Sequence, residues 1–297
     1  MTGAFLLMPG ESASSFVLRL ANFLTVKPDK FLRSALGDPR NLAWAIHRSD
    51  KLQFLCDASG LPSEHLAFAF AQRSPGPPNE RFVLQFRISE HHLDQTTRRV
   101  SPTVLARDLE ASIPPYHRIL WSVRDLRRDP ETGSPLISAC DHCGATLTWQ
   151  NCVDPACCGR CGRQLWRARS PEDPMTRFDQ FVRDLFHPDA TVRSELRSSF
   201  VPPLGGWAEG DLIDLLYSLQ RVQHLLSSSP KSAVTIEPAV IEAGSSIKQA
   251  MDLPIRSAAL ATQSTAVTVA AAARMAALRS APPPVAEFLI QLLMSRS

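Results

Sequence analysis

The stretch CDHCGATLTW, residues 140–149, is joined by QNCVDPAC, residues 150–157, to CGRCGRQLW, residues 158–166. Each outer part contains a Cys-x-x-Cys pair followed by Gly, two residues and Leu, so the motif is internally duplicated. A Cys-x-x-Cys turn brings two thiolates to one side of a tight bend, and the glycines allow close backbone approach. The spacing predicts a small zinc ribbon whose closed shell of four thiolates makes the Zn²⁺ structural, with Cys140, Cys143, Cys158 and Cys161 as ligands.

Other readings of the cysteines need different surroundings. Disulfides require export, yet the start MTGAFLLMPGES has no basic residue before its short apolar run, so we expect a cytoplasmic protein. The ligand register stays open, because Cys152 and Cys157 are left over and Cys157 adjoins Cys158. His142 is a weaker candidate ligand than its thiol neighbours, and Cys56, in an apolar helical pattern, is typical of a core residue.

Arginines recur around the ribbon, close to Trp121, Trp149 and Trp166. The chain as a whole carries a formal charge of only +3, so any contact with nucleic acid must be local. Arginines interleaved with aromatic residues suit phosphate contact and base stacking. We therefore predict a nucleic-acid surface at Arg124, Arg127, Arg128, Arg160, Arg163 and Arg167. Packing against the metal site explains Trp149 and Trp166 equally well, since both follow a knuckle.

Outward from the ribbon, the sequence predicts a mainly α protein. A Ser-rich cap at Ser12 begins an amphipathic helix, and residues 52–70 resemble a helix-turn-helix with Gly60 in the turn. The second helix of that pair lacks the side chains that usually read bases, which favours packing over DNA recognition. The alternating run at 81–89 predicts a half-buried strand.

Pro-rich and Ser-rich stretches suggest the domain boundaries. We expect a helical domain over 1–78, a strand and connector over 79–115, and the zinc-ribbon module over 116–169. A helical domain over 170–228 and a low-complexity linker with a terminal helix over 229–297 complete the chain. The Ala-rich segment 258–278 is broken by polar residues, so no membrane span is predicted.

The opening PGESASSFVLRLA, residues 9–21, with the small helical unit and the later Cys-x-x-Cys knuckle, resembles the TniQ/TnsD family of transposition target-selection proteins. The resemblance spans about residues 5–170. It implies an adaptor between a target-recognising element and an AAA+ transposition regulator. The implied partners are that ATPase, target DNA reached directly or through a guide-RNA effector complex, and a second copy of the chain.

Two features depart from the family pattern. No cysteine lies between Phe82 and Tyr116, where a further metal module is expected, and Cys143 stands where the family often has His.

Motifs of common catalytic sites do not occur in the sequence. It lacks a phosphate-binding Gly-rich loop, an H-E-x-x-H helix, a G-x-S-x-G elbow and a His-x-Glu step before the cysteines. We expect no enzyme. The alternative function is a zinc-ribbon or helix-turn-helix transcriptional regulator, and a zinc-dependent enzyme would need an open coordination position.

Overall fold

A computed structural model describes residues 5–28, 30–31, 52–94, 96–149, 152–171, 173–200 and 204–217. The chain divides into two units, Met1–Pro174 and Met175–Ser297. The described part is largely helical with one small sheet, as the sequence predicts for the fold class. The five-part division of the chain stays a prediction.

The first helix, α1, runs over Ala13–Phe23 and begins where the serine-rich start predicts. Ser12 caps it by accepting a hydrogen bond from the Ser15 N–H at 3.3 Å. The helix ends before Thr25, whose φ of 54° lies in the left-handed region. Its apolar face is fully buried and comprises Phe16, Val17, Leu18, Leu20 and Ala21.

Two short helices follow, α2 over Leu52–Ser59 and α3 over Ser63–Ala67. Gly60 joins them with a φ of 73°, a conformation that suits glycine. Leu55 and Leu66 are buried, and α3 is only five residues long. The arrangement supplies the packing predicted for this pair, and its use in DNA recognition stays a prediction.

The run at 81–89 forms a hairpin, so the prediction of a single strand was wrong. The strands are β1 (Gln72–Arg73), β2 (Glu80–Val83) and β3 (Phe86–Ser89), antiparallel in the order β1-β2-β3. Val83 pairs with Phe86 across a two-residue turn in which Leu84 has a φ of 57°. Such turns usually contain Gly or Asn, and Leu rarely adopts this φ, so the alternating pattern concealed the turn.

The N-terminal core gathers residues from α1, α2 and α3 together with two residues of the ribbon. Its buried members include Phe16, Leu20, Leu55, Cys56, Leu66, Phe70, Trp149 and Cys152. The first knuckle is therefore packed into the helical region rather than suspended beside it.

A second core surrounds the four candidate ligands. Helix α4 spans Pro102–Glu110, and Ser101 caps it by accepting from the Val104 N–H. Two short 3₁₀ turns, Ile119–Ser122 and Leu165–Arg167, lie on either side of the ribbon in sequence. The buried members of this core include Val104, Leu105, Trp121, Cys140, Leu147, Cys158 and Leu165.

In the second unit, α5 spans Arg177–Leu185 and α6 spans Ala190–Ser198. Thr176 and Asp179 form a reciprocal capping box at the start of α5. Helix α6 was not predicted, because its sequence has no apolar stripe and it buries no residue. A further helix occupies 209–217, within the amphipathic segment 207–226 of the helical domain predicted over 170–228.

The rest of that amphipathic segment, beyond residue 217, lies outside the described residues. So do the predicted linker and terminal helix over 229–297. Among the described helices, none has the length and apolar character needed to cross a bilayer.

Candidate metal centre

The four cysteines chosen from the sequence lie together in the structure. Their Sγ atoms are all within 4.8 Å of one another. The Sγ atoms of Cys140 and Cys161 are 3.8 Å apart, and those of Cys143 and Cys158 are also 3.8 Å apart. Zinc–sulfur bonds of about 2.3 Å in a tetrahedron place neighbouring sulfurs about 3.8 Å apart. The donor atoms and their spacing fit Zn²⁺.

The two knuckles have matching backbone hydrogen bonds. The Gly144 N–H donates to the Cys140 carbonyl at 2.9 Å, and the Gly162 N–H donates to the Cys158 carbonyl at 2.9 Å. These glycines have φ values of 67° and 70°, a left-handed conformation that disfavours other residues. The duplication seen in the sequence is therefore a duplication of structure.

The match extends to the backbone that flanks each knuckle. The Cys140 N–H donates to the carbonyl of Ala145 at 2.9 Å, as the Cys158 N–H does to that of Arg163 at 2.8 Å. Leu147 and Leu165, the leucines of the two motifs, are both buried in the second core.

The adjacent Cys157 and Cys158 have pKa values shifted in opposite directions. Burial raises the pKa of Cys158, but hydrogen bonds from the backbone N–H groups of Cys161 and Arg160 outweigh it and lower that pKa to about 7. Burial and the Asp154 carboxylate raise the pKa of Cys157 to about 12. Metals bind the thiolate form, so Cys158 is better prepared than its neighbour Cys157. Within the cluster the Arg163 N–H lowers the pKa of Cys161, but burial and hydrogen bonds with the other three thiols outweigh it and raise that pKa to about 12.

The remaining candidates lie apart from the four sulfurs. Cys152 is buried and donates its thiol to the Asp154 carbonyl at 3.2 Å, and burial raises its pKa. His142 is exposed on the first knuckle, and Cys56 is buried in the N-terminal core as predicted. The structure thus brings together the symmetric set and leaves Cys152 and Cys157 outside it.

Arg98, which the sequence analysis did not single out, clamps the loop between the knuckles. Its side chain is completely buried and donates to the carbonyl oxygens of Asp154, Pro155 and Cys157 at 3.3, 2.7 and 2.6 Å. Its guanidinium carbon also lies 5.6 Å from the centre of the Trp149 ring. No local motif marks this role, because its partners are main-chain atoms more than fifty residues away.

The Pro9–Ser12 motif builds a buried polar centre at the start of α1. The Glu11 carboxylate accepts from the Met8 N–H at 3.1 Å, the Ser15 hydroxyl at 2.8 Å and Arg19 Nη1 at 2.5 Å. Burial raises the pKa of Glu11, and Arg19 opposes that rise. A buried carboxylate is stable only with such partners, so the motif is structural.

The same motif pairs with the segment that follows α4. The Ser12 N–H donates to the His117 carbonyl at 2.9 Å, and the Ile119 N–H donates to the Gly10 carbonyl at 2.8 Å. The Tyr116 hydroxyl donates to the Pro9 carbonyl at 3.0 Å. The N-terminus is thereby bound to residues just ahead of the ribbon.

His117 lies where these regions meet. It is fully buried, its Nδ1 is 3.0 Å from the Ser12 hydroxyl, and its ring meets Trp149 edge-on at 4.9 Å. Burial, with the positive charges of Arg98, Arg99 and Arg118, lowers the pKa of His117 well below its ordinary value. The imidazole is therefore neutral at physiological pH.

The six arginines of the predicted nucleic-acid surface fall into two groups. Arg128 donates to the carbonyl oxygens of Gly133 and Asp173, so its guanidinium holds main chain. The other five form no side-chain hydrogen bond or ion pair with another described residue. Of these, Arg163 is half-buried, and four are exposed: Arg124, Arg127, Arg160 and Arg167.

The tryptophans that follow the knuckles are not equivalent. Trp149 lies nine residues after Cys140, whereas Trp166 lies eight residues after Cys158. The offset of one residue separates their environments: Trp149 enters the N-terminal core, and Trp166 is half-buried against the second core. The packing expected at the metal site therefore applies to Trp166, whereas Trp149 packs in the N-terminal core.

Residues 5–127 match the TniQ family. The match supports membership of the TniQ family. This region holds the Pro9–Ser12 motif and its partners at 116–119, so the opening that carried the resemblance lies inside the match. The four-cysteine cluster, which begins at Cys140, lies outside it. No curated protein matches the chain in a sequence search.

The match over residues 5–127 indicates a transposition-associated protein. Its TniQ region is also continuous in packing with the ribbon, because Trp149 belongs to the same core as α1.

Proposed function

We propose that this protein is a non-catalytic adaptor in DNA transposition, which links target-site recognition to an AAA+ transposition regulator. The TniQ match over residues 5–127 carries the proposal. In this role the protein contacts the ATPase on one side and, on the other, target DNA directly or a DNA-bound guide-RNA effector complex. Strand cutting and joining belong to its partners, and the chain also associates with a second copy of itself.

The four-cysteine cluster holds a structural Zn²⁺ in this proposal. The sulfur spacing of 3.8 Å supports it, as does the set of four thiols, which leaves no position for a reacting water. Zinc would tie the two knuckles together. The second core, which contains Cys140 and Cys158, would then depend on the metal for its stability.

A transposition assay tests the adaptor role. Cells that carry the gene with its genomic neighbours are compared with cells from which it alone is deleted, and the deletion is complemented from a plasmid. We expect the deletion to abolish insertion at the normal target sites and the plasmid to restore it. An unchanged frequency and distribution of insertions would contradict the proposal.

Affinity purification of the tagged full chain from the same cells separates the adaptor from the transcriptional regulator. Recovery of an AAA+ ATPase with a transposase supports the adaptor. Recovery of RNA polymerase or promoter DNA without the ATPase would favour the regulator. The purified chain should neither cut nor join DNA strands in the presence of Mg²⁺, and such activity would contradict the non-catalytic role.

A further inference from the structure

The two knuckles share a backbone but differ in charge. The first, residues 140–149, contains one acidic residue, Asp141, and no arginine or lysine. The second, residues 158–167, contains three arginines and no acidic residue. Superposing the cysteines puts His142 opposite Arg160 and Ala145 opposite Arg163. The two knuckles can therefore be compared position by position, and the comparison shows that only the second knuckle carries arginines.

The halves also differ in what covers them. Trp149 ends the first knuckle inside the N-terminal core, so this end of the knuckle is committed to packing. At the second knuckle, Arg160 and Arg167 are exposed and Arg163 is half-buried. None of the three forms a side-chain hydrogen bond or ion pair with another described residue.

This lack of partners separates the three arginines from most others in the same unit. Arg98 and Arg128 donate to backbone carbonyls, while Arg19 and Arg118 pair with buried carboxylates. An arginine carries five N–H donors in a planar fork that matches a phosphate group. Two such forks are exposed, at Arg160 and Arg167, and a third, at Arg163, is half-buried with its Nε buried and without a hydrogen-bond partner. Phosphate groups would supply acceptors for these donors.

We propose that the second knuckle binds the phosphate backbone of duplex DNA through Arg160, Arg163 and Arg167, while the first knuckle anchors the ribbon to the protein. The inference rests on the proposed function for its choice of DNA as the polyanion. Phosphate contacts position a protein without reading sequence, so the knuckle would hold target DNA irrespective of its bases. Arg128 has no part in this surface, because it is engaged by main chain.

A different role for the same arginines is compensation of the metal centre. Zn²⁺ with four thiolates has a formal charge of −2, and nearby cations would offset it. The two roles predict different losses. If the arginines bind DNA, their substitution lowers the affinity for DNA and leaves the zinc content unchanged. If they compensate the charge of the metal centre, their substitution weakens the retention of zinc.

Fluorescence anisotropy on the zinc-loaded full chain tests the proposal. The titrations use two labelled duplexes of unrelated sequence at several salt concentrations. We expect similar affinity for both duplexes and a linear fall of log K with log salt. Each of Arg160→Gln, Arg163→Gln and Arg167→Gln should reduce the slope by about 1, because one phosphate contact is lost.

Matched controls keep the result specific. His142→Gln alters the position in the first knuckle that corresponds to Arg160, and Arg73→Gln removes an exposed arginine of β1, outside the ribbon. Both should bind with the slope of the unaltered chain. Zinc content, measured by mass spectrometry of the native protein, should be the same in every variant.

Several results would overturn the inference. These are an unchanged slope in the three arginine variants, an equal reduction in the two controls, a loss of zinc in place of a loss of slope, and binding to RNA but not to DNA. Failure of this inference can be distinguished from failure of the adaptor proposal. Reduced slopes with recovery of RNA polymerase from cells would uphold the surface and refute the adaptor, and unchanged slopes with recovery of the ATPase would do the reverse.

Discussion

The two Cys-x-x-Cys knuckles have the same backbone hydrogen bonds and opposite surroundings. The first is drawn into the helical region through Trp149, and the second carries exposed arginines. The cysteines and glycines are the same in the two knuckles, and the side chains that flank them are not. The geometry of the candidate metal site and the contacts of each knuckle with its surroundings therefore depend on different residues. Each half can therefore be altered separately, and we expect metal ligands and buried residues to have larger effects on stability than exposed residues.

Removing a ligand should have the largest effect. Cys158→Ser leaves three thiolates, and we expect loss of stoichiometric zinc with unfolding of both knuckles, since structural zinc contributes about 10–16 kcal/mol in small zinc-binding peptides. Cys157→Ser is the matched control one residue away, and it should keep the metal. Native mass spectrometry and circular dichroism check both. A zinc-containing, folded Cys158→Ser protein would refute the ligand set.

The tryptophans test the anchoring half directly. Trp149→Ala empties a site in the N-terminal core and should lower the free energy of unfolding by about 3–5 kcal/mol. Trp166→Ala, at a half-buried position, should cost about 1 kcal/mol. Urea denaturation of the zinc-loaded chains compares them, with Trp149→Phe as a milder variant if the alanine protein does not fold. Equal losses of unfolding free energy in the two alanine variants would contradict the proposed difference between the two knuckles.

Arg98→Met should come next, because it takes away the donor that holds three carbonyl oxygens of the inter-knuckle loop. We expect a loss of about 3 kcal/mol in unfolding free energy, together with weaker retention of zinc against a chelator. Arg99→Met is the matched control. Arg99 is also buried, but it donates to the carbonyls of Val123, Arg124 and Leu126. The Arg99→Met protein should lose stability and keep its affinity for zinc. A similar loss of zinc in the Arg98→Met and Arg99→Met proteins would show that Arg98 has no specific role in holding the metal.

Lowering the pH should reduce the free energy of unfolding through protonation of His117. Its folded pKa lies below the ordinary value of about 6.5, so below that pH the unfolded chain takes up a proton that the folded chain excludes. Stability is full above about pH 6.5 and falls below it by up to about 1.4 kcal/mol per pH unit, until the folded pKa is reached. The check is the difference between the unfolding free energies of the native chain and His117→Gln from pH 7.5 to 5. A constant difference would show that His117 does not exclude the proton.

The smallest effects on stability belong to the exposed pair, His142 and Arg160. His142→Gln and Arg160→Gln should each change the unfolding free energy by no more than about 0.5 kcal/mol. Thermal denaturation of the zinc-loaded chains measures this. A larger change in Arg160→Gln alone would mean that its side chain supports the ribbon.

Several parts of this molecule could be predicted from sequence because their signals are local. The Cys-x-x-Cys-Gly spacing identified four sulfurs that the structure brings together, and the serines before Phe16 placed the start of α1. The hairpin at 80–89 was concealed because its turn places Leu at positive φ. Helix α6 gave no signal, since it buries no residue.

Long-range polar contacts account for the rest. The residues next to Arg98 in sequence give no sign that its side chain donates to carbonyls beyond residue 150. The residues next to Glu11 likewise do not show that its carboxylate is buried. The one-residue offset of the tryptophans was present in the sequence, but its meaning depended on which core each indole enters. Such roles are defined by topology, which periodicity and spacing do not encode.

Side chains from outside the loop between the knuckles donate hydrogen bonds to its main chain. Arg98 takes the carbonyls of Asp154, Pro155 and Cys157, and the Asn22 side chain donates to the carbonyl of Val153 at 2.9 Å. A carbonyl is present whatever side chain its residue bears, and the Val153 side chain itself is 57% exposed. Position 153 should consequently accept a bulky dye or spin label without disturbing the fold, giving a reporter close in sequence to the candidate metal centre that can follow the binding of a partner in real time.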